Sequence, residues 1–273
     1  MSLADDLTRE AVALHLANRL DEAIAHYTKA LAIHADAAEA LVGRARAALA
    51  LDRGDQAIAD FERALVINPD FPGALNGLGK ALAHQRRYEE AIACFDGALL
   101  LDSTSADVLN ERGKALWALN RHDEAIASYG RSISAGTATE ALYHNRGNAW
   151  LALGLHDRAI EDFDKALAIN PDLAETLRSR GHALTNLRRY EEAAASYVEA
   201  ASRDPELPYV IGYAAQARAQ ICDWTDYDRT AQTVLDGVRT GRRVSVPFTL
   251  LLLSQDPAAP VIEECYHRAS RPL

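Results

Sequence analysis

The chain has 273 residues, 49% of them hydrophobic and 7% aromatic, and a net charge of −10, so it offers no general basic surface of the kind duplex nucleic acid requires. Its cysteines, Cys94, Cys222 and Cys265, are three and widely spaced, which excludes a disulfide framework and suits a reducing, cytoplasmic setting. The first 30 residues read as no secretory signal, and the longest apolar run, residues 246–253, is too short to span a bilayer, so no membrane partner is expected.

From residue 4 onward one pattern returns every 34 residues. Its second half carries Ala23-Ile24, Ala57-Ile58, Ala91-Ile92, Ala125-Ile126, Ala159-Ile160 and the weakened Ala193-Ala194. Four residues after each first alanine stands a ring, at Tyr27, Phe61, Phe95, Tyr129, Phe163 and Tyr197, and three further on a small residue. Its first half carries Ala11, Ala45, Gly79, Gly113, Gly147 and Gly181, each followed two residues later by alanine. Apolar positions three and four apart make both halves amphipathic helices, and the small residues let their backbones approach closely. A short turn with Arg or Gly, such as Arg53-Gly54-Asp55, separates them. Six repeats then run without insertion, over residues 4–37, 38–71, 72–105, 106–139, 140–173 and 174–207. Pro69, Pro171 and Pro205 stand where a second helix should stop, while Ala35, Ser103 and Thr137 fill that place elsewhere. Acidic pairs such as Glu89-Glu90 and Asp123-Glu124 open the second helices, where the helix dipole favours them.

Period, small positions and rings together resemble the tetratricopeptide repeat, a helix–turn–helix unit of 34 residues. The resemblance implies an all-α, right-handed superhelical solenoid in which each repeat buries its apolar face only against its neighbours. It also implies a C-terminal helical cap, so the expected organisation is six repeats over 4–207 and a capping or junction region over 208–273. In the tail, residues 209–221 still read as a first helix, with Ala215 and Ala217 on the small positions, but Tyr227 falls where the alanine of the pair should stand. Asp223 reads as an N-cap and Trp224 as a large anchor against the last repeat.

The segment Cys222-Asp223-Trp224-Thr225-Asp226-Tyr227-Asp228 is similar to the junction between repeats and catalytic region in O-linked N-acetylglucosamine transferases and their bacterial Spindly-like relatives. Residues 247–257 look like its continuation. That resemblance implies a substrate-recognition portion of such a transferase. The sequence ends at Leu273, and no catalytic or donor-binding residue of that family can be placed on it, so this chain is expected to be no enzyme and to need no cofactor. A search for chemistry agrees: the glycines are spread through helices rather than gathered in a phosphate loop, and no histidine pair has the i, i+4 spacing of metal ligands. His122 and His156 read as half-exposed turn residues, and Cys265 with His267 lacks a second pair.

Function is therefore expected on a surface, the concave wall formed by the first helices. One residue after the small position stand Val12, Arg46, Lys80, Lys114, Asn148 and His182; three before it stand Thr8, Val42, Asn76, Asn110, His144 and Arg178. Asn145 holds the place where repeats of the glycosyltransferases often show an asparagine ladder, which the other repeats do not continue. Arg46, Asn76, Lys80, Asn110, Lys114, Asn145, Asn148, Arg178 and His182 are the expected groove residues: amides can pair with the backbone of an extended peptide, and cations with its acidic groups. Against this, Lys80 and Lys114 could simply pair with acids such as Asp107. A further row, Arg44, Arg112, Arg146 and Arg180, is expected in salt bridges with second-helix acids such as Asp60 and Asp162. The expected activity is a protein-interaction scaffold for extended partner segments, with acceptor presentation in a glycosyltransferase as the alternative.

Overall fold

A computed structural model describes residues 2–224 and 227–240 of the chain. Among them are fourteen helices: α1 (Leu3–Leu16), α2 (Leu20–Ile33), α3 (Ala38–Ala50), α4 (Gly54–Ile67), α5 (Pro72–His84), α6 (Tyr88–Leu101), α7 (Ala106–Ala118), α8 (His122–Ser134), α9 (Glu140–Ala152), α10 (His156–Ile169), α11 (Ala174–Asn186), α12 (Tyr190–Arg203), α13 (Val210–Gln220) and α14 (Tyr227–Arg239). The first helices from α3 to α11 begin on the 34-residue phase, and the all-α solenoid of helix pairs expected from the sequence is found. The chain forms two compact units, Met1–Ala138 with α1–α8 and Thr139–Leu273 with α9–α14. In each, helices pack in chain order, and successive first helices also touch: α1 with α3, α3 with α5 and α5 with α7 in the first unit, α9 with α11 in the second.

In each unit the core is built on aromatic rings. Tyr27, Phe61, Phe95, Tyr129, Phe163 and Tyr197 are all buried, and the alanines of the Ala-Ile pairs are fully covered. Each ring sits against a glycine so closely that a Cβ there would lie 2.3–2.6 Å from it. Phe95, Tyr129, Phe163 and Tyr197 use the glycine of their own repeat, Gly79, Gly113, Gly147 and Gly181. Tyr27 and Phe61, whose own repeats have alanine there, use Gly43 and Gly77 of the following repeat.

The turn inside each repeat is a Schellman motif. Its C′ residue is left-handed at Asn18, Asp52, Arg86, Asn120, Gly154 and Arg188, in steps of 34 residues. The next residue donates its N–H back over the turn, as Arg19 does to the Leu14 carbonyl and Arg87 to that of Leu82, both at 2.9 Å. That same residue opens the second helix. Where it is arginine and a glutamate follows three later, the guanidinium grips it with two hydrogen bonds, as in Arg19–Glu22, Arg87–Glu90, Arg121–Glu124 and Arg189–Glu192.

Two expectations need correction. Proline does not decide where second helices end: α2 and α6, which lack it, stop at the same register as α4, α10 and α12. Only α8 is a residue shorter, and it is followed by left-handed Gly136 just before the division between units. As expected, the repeat phase continues through α13, and its turn follows the others: Cys222 is left-handed and Asp223 donates to the Arg218 carbonyl. The sequence pattern fails only after this turn, at Tyr227. Second, Trp224 after Asp223 is not helical, so Asp223 does not cap a helix that opens there, and Trp224 is 55% exposed. Residues 241–273, including 247–257, Cys265 and His267, lie outside the described residues.

Replacing Gly113 by alanine should lower the urea midpoint despite alanine's better helix propensity. Overpacking against Tyr129 costs about 1–3 kcal/mol, while the propensity gain is about 1. Equilibrium unfolding followed by circular dichroism measures the difference.

Candidate functional site

The expected groove residues fall into two sets, one in each unit. Arg46 on α3, Asn76 and Lys80 on α5, and Asn110 and Lys114 on α7 belong to the first; Asn145 and Asn148 on α9, and Arg178 and His182 on α11, belong to the second.

In the first unit Asp107, at the start of α7, receives hydrogen bonds from Lys80 Nζ at 2.7 Å and Asn76 Nδ2 at 2.9 Å. Burial would raise the Asp107 carboxyl, but these two donors and nearby cations outweigh it and hold the group below the usual carboxylate range. Lys114 turns instead to Glu111 on its own helix at 2.8 Å, so Asp107 serves one of the two lysines. Arg46 reaches the Gly73 carbonyl at 3.5 Å and has no ion pair among the described residues. Arg46, Asn76 and Lys80 line one cavity of about 440 Å3, together with Leu49, Phe61 and Asp107. The Oδ1 atoms of Asn76 and Asn110, one repeat apart, are buried without a hydrogen-bond partner. A wider cavity of about 820 Å3 lies nearer the N-terminus, where Thr8, Val12, Glu39 and Phe71 contribute to its wall.

In the second unit the polar residues are tied into the fold. Asn148 Nδ2 donates to His144 Nε2 at 2.9 Å, which leaves His144 Nδ1–H to donate to Thr176 Oγ1 at 2.8 Å. His182 Nδ1 bonds the Tyr197 hydroxyl at 3.0 Å, and its ring stands edge-on to Tyr213 with centroids 4.6 Å apart. Burial pushes the His182 imidazole down to about 4, so it is neutral at physiological pH. Burial likewise lowers His144. Arg178 pairs with Glu175 on the same helix, and Asn145 is half-buried. Thr176, Tyr197 and Tyr213 enter this cluster from positions that the row of first-helix residues did not signal.

The second arginine row forms the expected salt bridges, with an added regularity. Arg44 binds both oxygens of Asp60 on its own second helix at 2.7 and 2.8 Å, and also Thr28 of the preceding repeat at 3.2 Å. Arg146 binds Asp162 in the same two-pronged way. Arg112 and Arg180 find a serine on their own second helix, Ser128 and Ser196, and take the carboxylate from the preceding one, Asp96 and Asp164. None of these guanidinium groups is left for an anion. Asp162 is 2% exposed and keeps only Lys165, at 3.9 Å, once Arg146 is lost, so Arg146→Leu should cost up to about 3–5 kcal/mol, whereas Arg112→Leu releases the exposed Asp96 and should cost much less. Urea midpoints of the two variants test this order.

Histidine 182 yields a pH signature. Its folded-state pKa lies below the ordinary 6.5, so between about 6.5 and about 4 the unfolded chain binds more protons and stability falls as pH falls, with no contribution above that window. At pH 5 this group should cost about 2 kcal/mol relative to pH 7. His182→Phe should flatten that part of the profile, read from urea midpoints at the two pH values.

Tetratricopeptide repeat models match residues 42–108, 78–138, 141–173 and 174–207. No curated protein matches the sequence. Among solved structures, MamA is 25% identical with a TM-score of 0.56, over 58% of this chain and 93% of that one. YrrB, described as a tetratricopeptide repeat protein with an unusual peptide-binding site, is 18% identical with a TM-score of 0.57, over 77% of this chain and 98% of that one. PilF of Pseudomonas aeruginosa is 20% identical with a TM-score of 0.64, over 86% of this chain and 97% of that one. The last two likenesses are of fold. The comparisons lend the glycosyltransferase resemblance of Cys222–Asp228 no support, and no helix among the described residues is long and apolar enough to cross a membrane.

Proposed function

Since the chain belongs to the tetratricopeptide repeat family, we propose that it is a non-catalytic interaction scaffold that holds extended segments of partner proteins against the first helices of its repeats. The observation carrying this reading is the convergence of Arg46, Asn76 and Lys80, from two successive first helices, on one cavity. An extended peptide lying across those helices meets amides for its backbone and cations for its acidic groups. The peptide-binding site named for YrrB favours the same use of the fold. Residues 4–207 supply the binding repeats; α13 packs against the last of them and α14 against α13. The thiols of Cys94 and Cys222 are free, which fits the cytoplasmic location expected from the composition. Acceptor presentation in a glycosyltransferase has no structural observation in its favour.

Of the two units, the first is the better candidate for the partner, because its Arg46 has no ion pair among the described residues while Asn148 and His182 of the second are held by neighbours. The double variant Lys80→Glu/Lys114→Glu should lose at least tenfold in capture of peptides from an array, with its thermal melt retained. Unchanged capture removes the first-helix row as the binding surface.

A further inference from the structure

Two first helices of the first unit carry an acid and a base seven residues apart, Glu39 and Arg46 on α3 and Asp107 and Lys114 on α7. Seven residues are nearly two helical turns, so acid and base share a face about 10.5 Å apart along the axis. On α7 the fold satisfies both charges: Asp107 receives Lys80 and Asn76 from the repeat before, and Lys114 turns to Glu111. On α3 each of these partners is replaced. Val12 and Thr8 stand at the places of Lys80 and Asn76, and Gly43 at the place of Glu111.

Glu39 and Arg46 are accordingly both exposed, and neither has an ion pair among the described residues. Glu39 lies in the first turn of α3, where the helix dipole favours it without neutralising it. Between the two charges α3 is bare. Val42 is 4% exposed, and Gly43 is kept without a side chain by the Tyr27 ring, which a Cβ there would meet at 2.4 Å. Beside Glu39 opens the cavity of about 820 Å3, with Val12, 44% exposed, and half-buried Phe71 in its wall. Asp5 adds a second carboxylate to that wall, while the cation there, Arg9, is paired with Asp6 at 3.4 Å.

Resting on the reading of the first-helix face as a peptide-binding surface, we propose that α3 selects extended partner segments in which Lys or Arg stands three positions from Asp or Glu, with an apolar side chain between them. The basic residue meets Glu39, the acidic residue meets Arg46, and the apolar side chain enters the cavity against Val12 and Phe71. At α3 the segment follows the helix axis. Three steps of an extended chain advance about 10 Å, which matches the spacing of the two charges.

Selection of a random phage-displayed peptide library on the purified full chain, followed by anisotropy with labelled synthetic peptides, tests the pairing. Selected peptides should share the spaced basic and acidic residues, and moving these to adjacent positions should weaken binding at least tenfold. Glu39→Lys should weaken it by a similar factor and prefer peptides with Glu in place of the basic residue; Arg46→Glu should prefer Lys in place of the acidic one. Val12→Lys, at an exposed position, gives Glu39 the partner that Asp107 has, and should abolish the preference for a basic residue with the thermal melt retained. Peptides that are lost with Lys80→Glu/Lys114→Glu, yet bind Glu39→Lys, Arg46→Glu and Val12→Lys normally, overturn the pairing and leave the binding face standing. Absence of any selected peptide overturns both.

Discussion

The contact on which the architecture depends is the seating of one aromatic ring on one glycine in each repeat. A ring of this size between two first helices fits only if one backbone comes close enough to exclude a Cβ, and the glycine may stand on either side of it. Glycine within a helix costs about 1 kcal/mol against alanine, so the arrangement persists because ring burial outweighs that cost. The change of side between Phe61 and Phe95 makes α5 unusually bare.

Much of this was legible in the sequence because strict periodicity constrains every repeat at once. The starts of α3 to α11, the buried rings and the covered alanines follow directly from the 34-residue phase. The left-handed turn was not legible. Asn18, Asp52, Arg86, Asn120, Gly154 and Arg188 share no side-chain property, since the backbone hydrogen bonds of the turn impose the conformation. Trp224 misled because its size suggested burial, whereas it is 55% exposed.

The groove residues were legible as positions and less so as chemistry. Long side chains choose among the acids within reach: Lys80 takes Asp107 across a repeat boundary, and Lys114 takes Glu111 on its own helix. His182 and Asn148 look from the sequence like ligand-ready groups, yet Tyr197 and His144 already occupy one of their hydrogen-bonding atoms. Phase identifies which residues share a face. It carries no information about which of them the fold has already satisfied.

The arginine bridges separate the repeats into two kinds. Those with Asp60 or Asp162 bring their own carboxylate for the arginine, whereas those with Ser128 or Ser196 depend on Asp96 or Asp164 from the repeat before. A repeat of the first kind could be copied singly to another place in the array without orphaning its guanidinium. A repeat of the second kind must be inherited together with its predecessor. Despite their common length, the repeats therefore differ in whether their charge balance is complete within one unit or shared with the unit before.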